Sequence, residues 1–366
     1  MAQLLEVMRN PEKITHLTTH QLSDLICEAR FHNMLSQLSC ILNQHELKSI
    51  LPHKFLTHLH SSDLQFQNQV LQLKLEHQQL SDLLTPITHP FVYLKGAAYH
   101  LAGFEEFSGR FIGDIDILIS EESLPRTEKV LMGSGWITTK INSYDNKFYR
   151  EYSQEIPPLK HLERGTELDV HFNILPKTLK QSRPGEIWLN HSIPLSDSNP
   201  NCRILKPEAM VLHSAIHLFY ESEYHKGTRD LYDLYLLFTR FQKDPSFWHN
   251  LIQTTDELDN GDAIFIALRY CASIFHLSVP AHVISHYQQF SANSAYQMML
   301  DLAFTRIFCC SFPPDKQLGH VQTETFLYLR GHLKRMPLKL LIPHLTRKFF
   351  MQFKKEKPID PEEIRL

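Results

Sequence analysis

The chain has 366 residues, 43% of them hydrophobic and 21% charged, with a formal net charge of −3 at pH 7. That length exceeds what one hydrophobic core usually serves, so two or three subdomains are expected. The near-neutral balance excludes a global electrostatic pull toward nucleic acid or lipid.

Six cysteines without a C-x-x-C spacing exclude a zinc knuckle or a redox pair and fit a reduced, cytoplasmic setting. No stretch approaches roughly 18 uninterrupted apolar residues, and the residues from Met1 to Glu6 have no basic n-region. Neither a spanning helix nor a signal peptide is therefore expected. Most of the 23 histidines sit singly among polar residues and read as surface.

Residues 1–86 carry helical periodicity in two runs, Ile26 to Ile41 and Phe66 to Leu84, separated by Pro52. Pro86 and Pro90 close this helical N-terminal subdomain. From 87 to 200 the texture changes to strand, helix, strand, helix and hairpin, a small α/β unit with a mixed sheet. Phe91 to Leu94 reads as a buried strand, Ala97 to Phe107 as a helix, Phe111 to Ile119 as a second strand, and Ser123 to Met132 as a helix. Trp136 to Ile174 holds strand-like segments broken at Asp145-Asn146 and Pro157-Pro158. After a link over 193–206, helices are expected at 208–222, 228–241, 261–277, 294–310 and 322–333. Residues 201–366 thus form a helical C-terminal domain, and the fold class is α+β.

The sharpest local signal is Arg110-Phe-Ile-Gly-Asp114-Ile-Asp116-Ile-Leu-Ile119. Within a strand, residues two apart share a face, so Asp114 and Asp116 are expected to project together. Carboxylates that close repel unless a cation sits between them, and hard oxygen ligands suit Mg²⁺ or Mn²⁺. In Glu167-Leu-Asp169-Val-His171, Asp169 and His171 share a face in the same way. If the two strands are neighbours, Asp169 becomes a third carboxylate aimed at the same point, enough to hold two ions for phosphoryl transfer. Upstream, Leu94-Lys95-Gly96-Ala97 lies at a strand-to-helix junction, where Gly96 and Ala97 offer N–H groups to a phosphate. Lys95 and Arg110 could add cationic contacts to a triphosphate.

Together these segments resemble the polymerase-β-like nucleotidyltransferase superfamily, and within it an uncharacterised bacterial nucleotidyltransferase family. The matching elements are Leu94-Lys95-Gly96, Arg110 to Leu118, and Asp169-Val-His171, with Leu212-His213 to His217 and Arg229-Asp230 to Asp233 in the helical part. The resemblance implies a small mixed-sheet nucleotidyltransferase core with helical subdomains on both sides. It also implies transfer of a nucleoside monophosphate from an NTP, ATP being the expected co-substrate. Asp114 and Asp116 would bind both ions, and Asp169 would help activate the acceptor. His171, His217, Arg229 and Asp233 are expected to line the nucleotide cleft. The usual Gly-Ser signature is Gly96-Ala97 here, 18 residues before Asp114, and Lys95 is the expected substitute for the missing hydroxyl.

A catalytically silent nucleotide-binding or regulatory protein of the same fold is the competing reading, and the presence of all three aspartates argues against it. His213-x-x-x-His217 has zincin spacing, but Ser214 stands where the catalytic Glu would be. Between Arg330 and Lys357 nine Lys or Arg face one acid, Glu356. Such a basic, apolar-laced tail is expected either to dock on the domain or to meet an anionic membrane surface, the latter placing the protein peripherally at the inner membrane face. The acceptor is expected to be a small molecule, a sugar phosphate or a protein. Nucleic acid fits poorly, because no aromatic stacking platform accompanies the basic residues.

Overall fold

Among the described residues, seven short strands make one mixed sheet in the order β3-β4-β5-β2-β1-β7-β6. They are β1 (Phe91–Tyr93), β2 (Ile115–Leu118), β3 (Trp136–Thr138), β4 (Leu159–His161), β5 (Glu167–His171), β6 (Ser192–Ser196) and β7 (Asn199–Leu205). The structure, a computed structural model, describes residues 3–88, 90–138, 149–150, 152–220, 222, 224–310, 312–313, 318–343 and 346. The Asp145-Asn146 break expected from sequence lies outside them.

The centre of the sheet is β5-β2-β1, where β2 runs parallel to β5 and antiparallel to β1. All four residues of β2 and all three of β1 are buried. Continuous burial explains why their apolar side chains, Phe91, Val92, Ile115, Ile117 and Leu118, do not alternate with solvent-facing polar ones. β2 is shorter than expected. Phe111 to Asp114 lie outside the ladder, so Asp114 is held by the loop entering the strand, not by the strand itself.

Helices α1 (Gln3–Arg9), α2 (Thr19–Phe31), α3 (Leu35–Gln44) and α4 (His53–Leu84) precede the sheet. A capping box starts α2: Gln21 N donates to Thr18 Oγ1, and Thr18 N donates to Gln21 Oε1. The 32-residue α4 buries a single seam that includes Phe55, Leu59, Leu73, Leu80 and Leu84. Within the sheet region lie α5 (Lys95–Leu101), α6 (Leu124–Gly133) and α7 (Gly185–Asn190). The helix expected over Ala97 to Phe107 stops at Leu101, before Gly103 at φ +68°.

After the sheet come α8 (Pro207–Tyr220), α9 (Gly227–Phe241), α10 (Phe247–Leu258), α11 (Gly261–Phe275), α12 (Ala281–Tyr287), α13 (Ser294–Cys310) and α14 (His320–Arg335). Of these, α10 and α12 were not expected. Helix α8 is buried on nearly every side and touches α9, α10, α11, α14 and β7. Buried apolar side chains form one continuous cluster from Leu4 to Leu327, so the sheet and both sets of helices share an interior.

Part of the basic C-terminal stretch is visible. Arg330 is buried and donates from NH1 to Phe219 O at 2.6 Å. Lys334 pairs with Asp262, and its ammonium lies 5.1 Å from the centre of the Tyr220 ring. These cations dock on the helical domain instead of standing on a free positive face. The tail residues from Arg347 onward are outside the described residues. Among the described residues, no helix is long and apolar enough to cross a membrane.

Candidate active site

The parallel ladder between β2 and β5 sets Asp116 directly beside Asp169. Two residues further along β5, on the same face, His171 places Nε2 3.2 Å from Asp116 Oδ1 and Nδ1 3.3 Å from Glu155 Oε2. Lys95 closes the group from the other side, its Nζ donating to Asp116 Oδ1 at 2.8 Å. That ammonium is aimed by an unusual backbone. Lys95 opens α5 at φ +47°, a region that costs a non-glycine residue energy, and Leu94 N donates to Asp116 O to pin the turn against β2.

Burial alone would raise the Asp116 carboxyl, but the charge of Lys95, then the hydrogen bond and charge of His171, hold it well below the usual carboxylate range. Asp169 goes the other way. Burial, then the negative charges of Asp116 and Glu155, push it up to about 7. Burial works against a charged His171, yet Glu155 and Asp116 leave its pKa raised. Burial also opposes the Lys95 ammonium, and Asp116 and Asp114 more than offset it, so Lys95 stays charged.

The raised Asp169 makes a stability prediction whose sign is fixed. A carboxyl with folded pKa near 7 and unfolded pKa near 3.9 binds its proton more tightly when folded, so its contribution is present below pH ~4 and lost as pH rises through ~7. Asp169→Asn is therefore expected to raise the melting temperature of the metal-free protein at pH 8 and to leave it unchanged at pH 4. Equal shifts at both pH values would contradict this.

A second charged group forms the floor. Arg110 is buried, donates from Nε to Asp233 Oδ2 at 2.8 Å and from NH1 to Phe111 O at 3.0 Å, and lies 5.7 Å from the Tyr99 ring centre. Gly96 makes room for it: a Cβ there would stand 1.9 Å from Arg110 NH1. Gly96 is thus required by the arginine, not by the approach of a phosphate alone. Arg229 does not reach Asp233; it donates from Nε and NH2 to Asp230 Oδ1 at 3.0 and 2.7 Å.

Both groups face one cavity of about 490 Å³. Lys95, Gly96, Arg110, Asp114, Asp116, Asp169, His171, His217, Arg229 and Asp233 all line it. Of the residues expected from sequence only Ala97 does not; it is buried in α5. Glu155 and Lys226 also line the cavity and were missed. Glu155 gave no periodic signal, being a lone acid before Pro157-Pro158, and becomes visible only through its bridge to His171. His213 is buried and neutral, its pKa lowered to about 3 by burial and then by Lys95. Ser214 donates to Met210 O and contacts the Tyr99 hydroxyl, so no zincin-like pair is assembled here.

Among the described residues, no three His, Cys, Asp or Glu side chains are arranged as a metal-binding cluster. Lys95 and His171 instead supply the positive charge beside Asp116. The donors suit a hard divalent ion in kind and number, with three carboxylates on one cavity. An ion bound at Asp116 would displace the Lys95 ammonium.

A family described as uncharacterised nucleotidyltransferase matches residues 18–276 of the chain. No curated protein and no solved structure matches it.

Proposed function

From the premise that the chain belongs to this family of uncharacterised nucleotidyltransferases, we propose that its cavity moves a nucleoside monophosphate from an NTP, ATP by preference, to an acceptor hydroxyl with the help of Mg²⁺ or Mn²⁺. The observation that carries this reading is the pairing of Asp116 with Asp169 across β2 and β5, with Asp114 on the same cavity.

In the reaction an acceptor oxygen bonds to the α-phosphorus, the bond from that phosphorus to the bridging oxygen of the β-phosphate breaks, and pyrophosphate leaves. Asp169, the ladder partner of Asp116 on the same cavity, takes the hydroxyl proton. Bound divalent ions, held by Asp114, Asp116 and Asp169, would neutralise charge on the phosphates. Lys95, released from Asp116, supplies its ammonium to the triphosphate. Glu155 positions His171, and His171 holds Asp116. Arg110 is committed to Asp233, so its role is to shape the floor under the nucleotide.

The test is the identity of the small product when purified protein is incubated with ATP, Mg²⁺ and cell extract. Pyrophosphate is expected. ADP in its place would indicate a kinase or a phosphatase and would sink the proposal.

A further inference from the structure

Beside the catalytic cavity runs a second hollow of similar size, joined to it over Gly113, Lys226 and Arg229 and walled by Asn33, Gln65, Asn68 and Phe111. The two differ in charge. Among the described residues, six carboxylates line the catalytic cavity and none lines the hollow. Three cations of the catalytic cavity, of which Arg229 also borders the hollow, are already engaged: Lys95 with Asp116, Arg110 with Asp233, and Arg229 with Asp230. Lys226 is different. Its ammonium sits over Gly113, 3.6 Å from where a Cβ would be, and it has no carboxylate partner among the described residues.

The amides of the hollow are free in the same sense. Gln69 Oε1 is used, accepting from Ile112 N at 3.0 Å. Asn33, Gln65 and Asn68 make no side-chain hydrogen bond among the described residues. Each offers both donors and an acceptor. Phe111, partly exposed, adds a flat apolar surface.

We infer that this hollow is the acceptor subsite and that it takes a phosphorylated sugar or polyol, an inference that rests on the transferase reading above. An anionic phosphate is repelled by the carboxylates of the catalytic cavity and attracted to Lys226 at its edge. Hydroxyl groups match the three amides, and the C–H face of a sugar matches Phe111. One hydroxyl of the bound molecule then attacks the α-phosphorus, gives its proton to Asp169, and releases pyrophosphate. The product is a phosphodiester that keeps the original phosphate.

The subsite is tested without turnover first. Protein free of NTP and metal is titrated by calorimetry with ribose 5-phosphate, glucose 6-phosphate, glycerol 3-phosphate, ribose and inorganic phosphate. At least one sugar or polyol phosphate is expected to bind at least about tenfold more tightly than ribose or inorganic phosphate. Lys226→Ala and the doubly substituted Gln65→Ala, Asn68→Ala protein are each expected to lose about tenfold, the effect of one charge-assisted or two neutral hydrogen bonds. Gln65 and Asn68 are exposed on α4, so these changes do not endanger the fold.

Failure of all three phosphates to bind, or inorganic phosphate binding as tightly as they do, overturns the subsite. So does a double variant that weakens ATP instead, which would give the hollow to the nucleotide base. With labelled ATP added, the two readings separate. Transfer to sugar phosphates that ignores both variants keeps the transferase and removes the subsite. Variant-sensitive binding with no nucleotide transfer to any acceptor keeps the binding hollow and removes the transferase.

Discussion

Asp114→Asn and Asp116→Asn are both expected to lower nucleotidyl transfer by well over a hundredfold, but only the second is expected to loosen the fold. The activity loss follows from chemistry. Changing a group that merely supports a metal ligand costs roughly 10–100-fold, and removing a ligand itself costs more. The stability difference follows from position. Asp114 sits in the loop entering β2 and no ion pair holds it among the described residues. Asp116 is buried and carries both Lys95 and His171. Removing its charge leaves an ammonium in a largely dry site, which costs about 3–5 kcal/mol when burial is complete. Here about 2–3 kcal/mol is expected, because Lys95 borders the cavity and the repulsion on Asp169 is relieved. Thermal unfolding of the two variants side by side checks this, and equal melting temperatures would contradict it.

Arg110→Ala is expected to be the most destabilising single change in the cavity floor. It strands Asp233, whose carboxyl is buried and whose Oδ1 already has no hydrogen-bond partner among the described residues. The loss is expected at about 3–5 kcal/mol, the usual cost of breaking a buried pair from one side. Gly96→Ala acts on the same group by pushing on Arg110 NH1, and overpacking of that kind costs about 1–3 kcal/mol. The two sites are in contact, so their effects are not additive. In an Arg110→Lys background, Gly96→Ala is expected to cost clearly less, because the slimmer ammonium leaves room for the methyl group. A denaturant double-mutant cycle measures this; strictly additive costs would show that the clash is absorbed elsewhere.

Legibility in the sequence followed the range of each interaction. β1 was readable as a short apolar run, and β2 and β5 because theirs are interrupted at alternate positions by Asp116, Asp169 and His171. Their convergence was conditional on strand adjacency, which local pattern does not carry; it appears only in the parallel register. The helical parts were largely readable from periodicity, as at α9, α11 and α13. Helices α10 and α12 were not; in the seven-residue α12, polar residues such as His282 and Ser285 leave only a short apolar face. The reason for Gly96 was hidden for the same cause as Asp116–Asp169. Its partner Arg110 is fixed by Asp233, 123 residues further on. The basic tail follows one of its two expected courses where it is described, since Arg330 and Lys334 bond to groups of the helical domain.

The proposed reaction at the Asp114, Asp116 and Asp169 cavity is transfer of the α-phosphate of an NTP with its nucleoside. Parallel incubations with ATP labelled at the α- or at the γ-phosphate, with Mg²⁺ or with chelator, test it most directly when sugar phosphates and cell extract supply the acceptors. Label from the α position alone is expected in an acceptor product, only when the divalent ion is present, and not with Asp114→Asn. Label from the γ position, or α-label transfer that survives in Asp114→Asn, would contradict the claim.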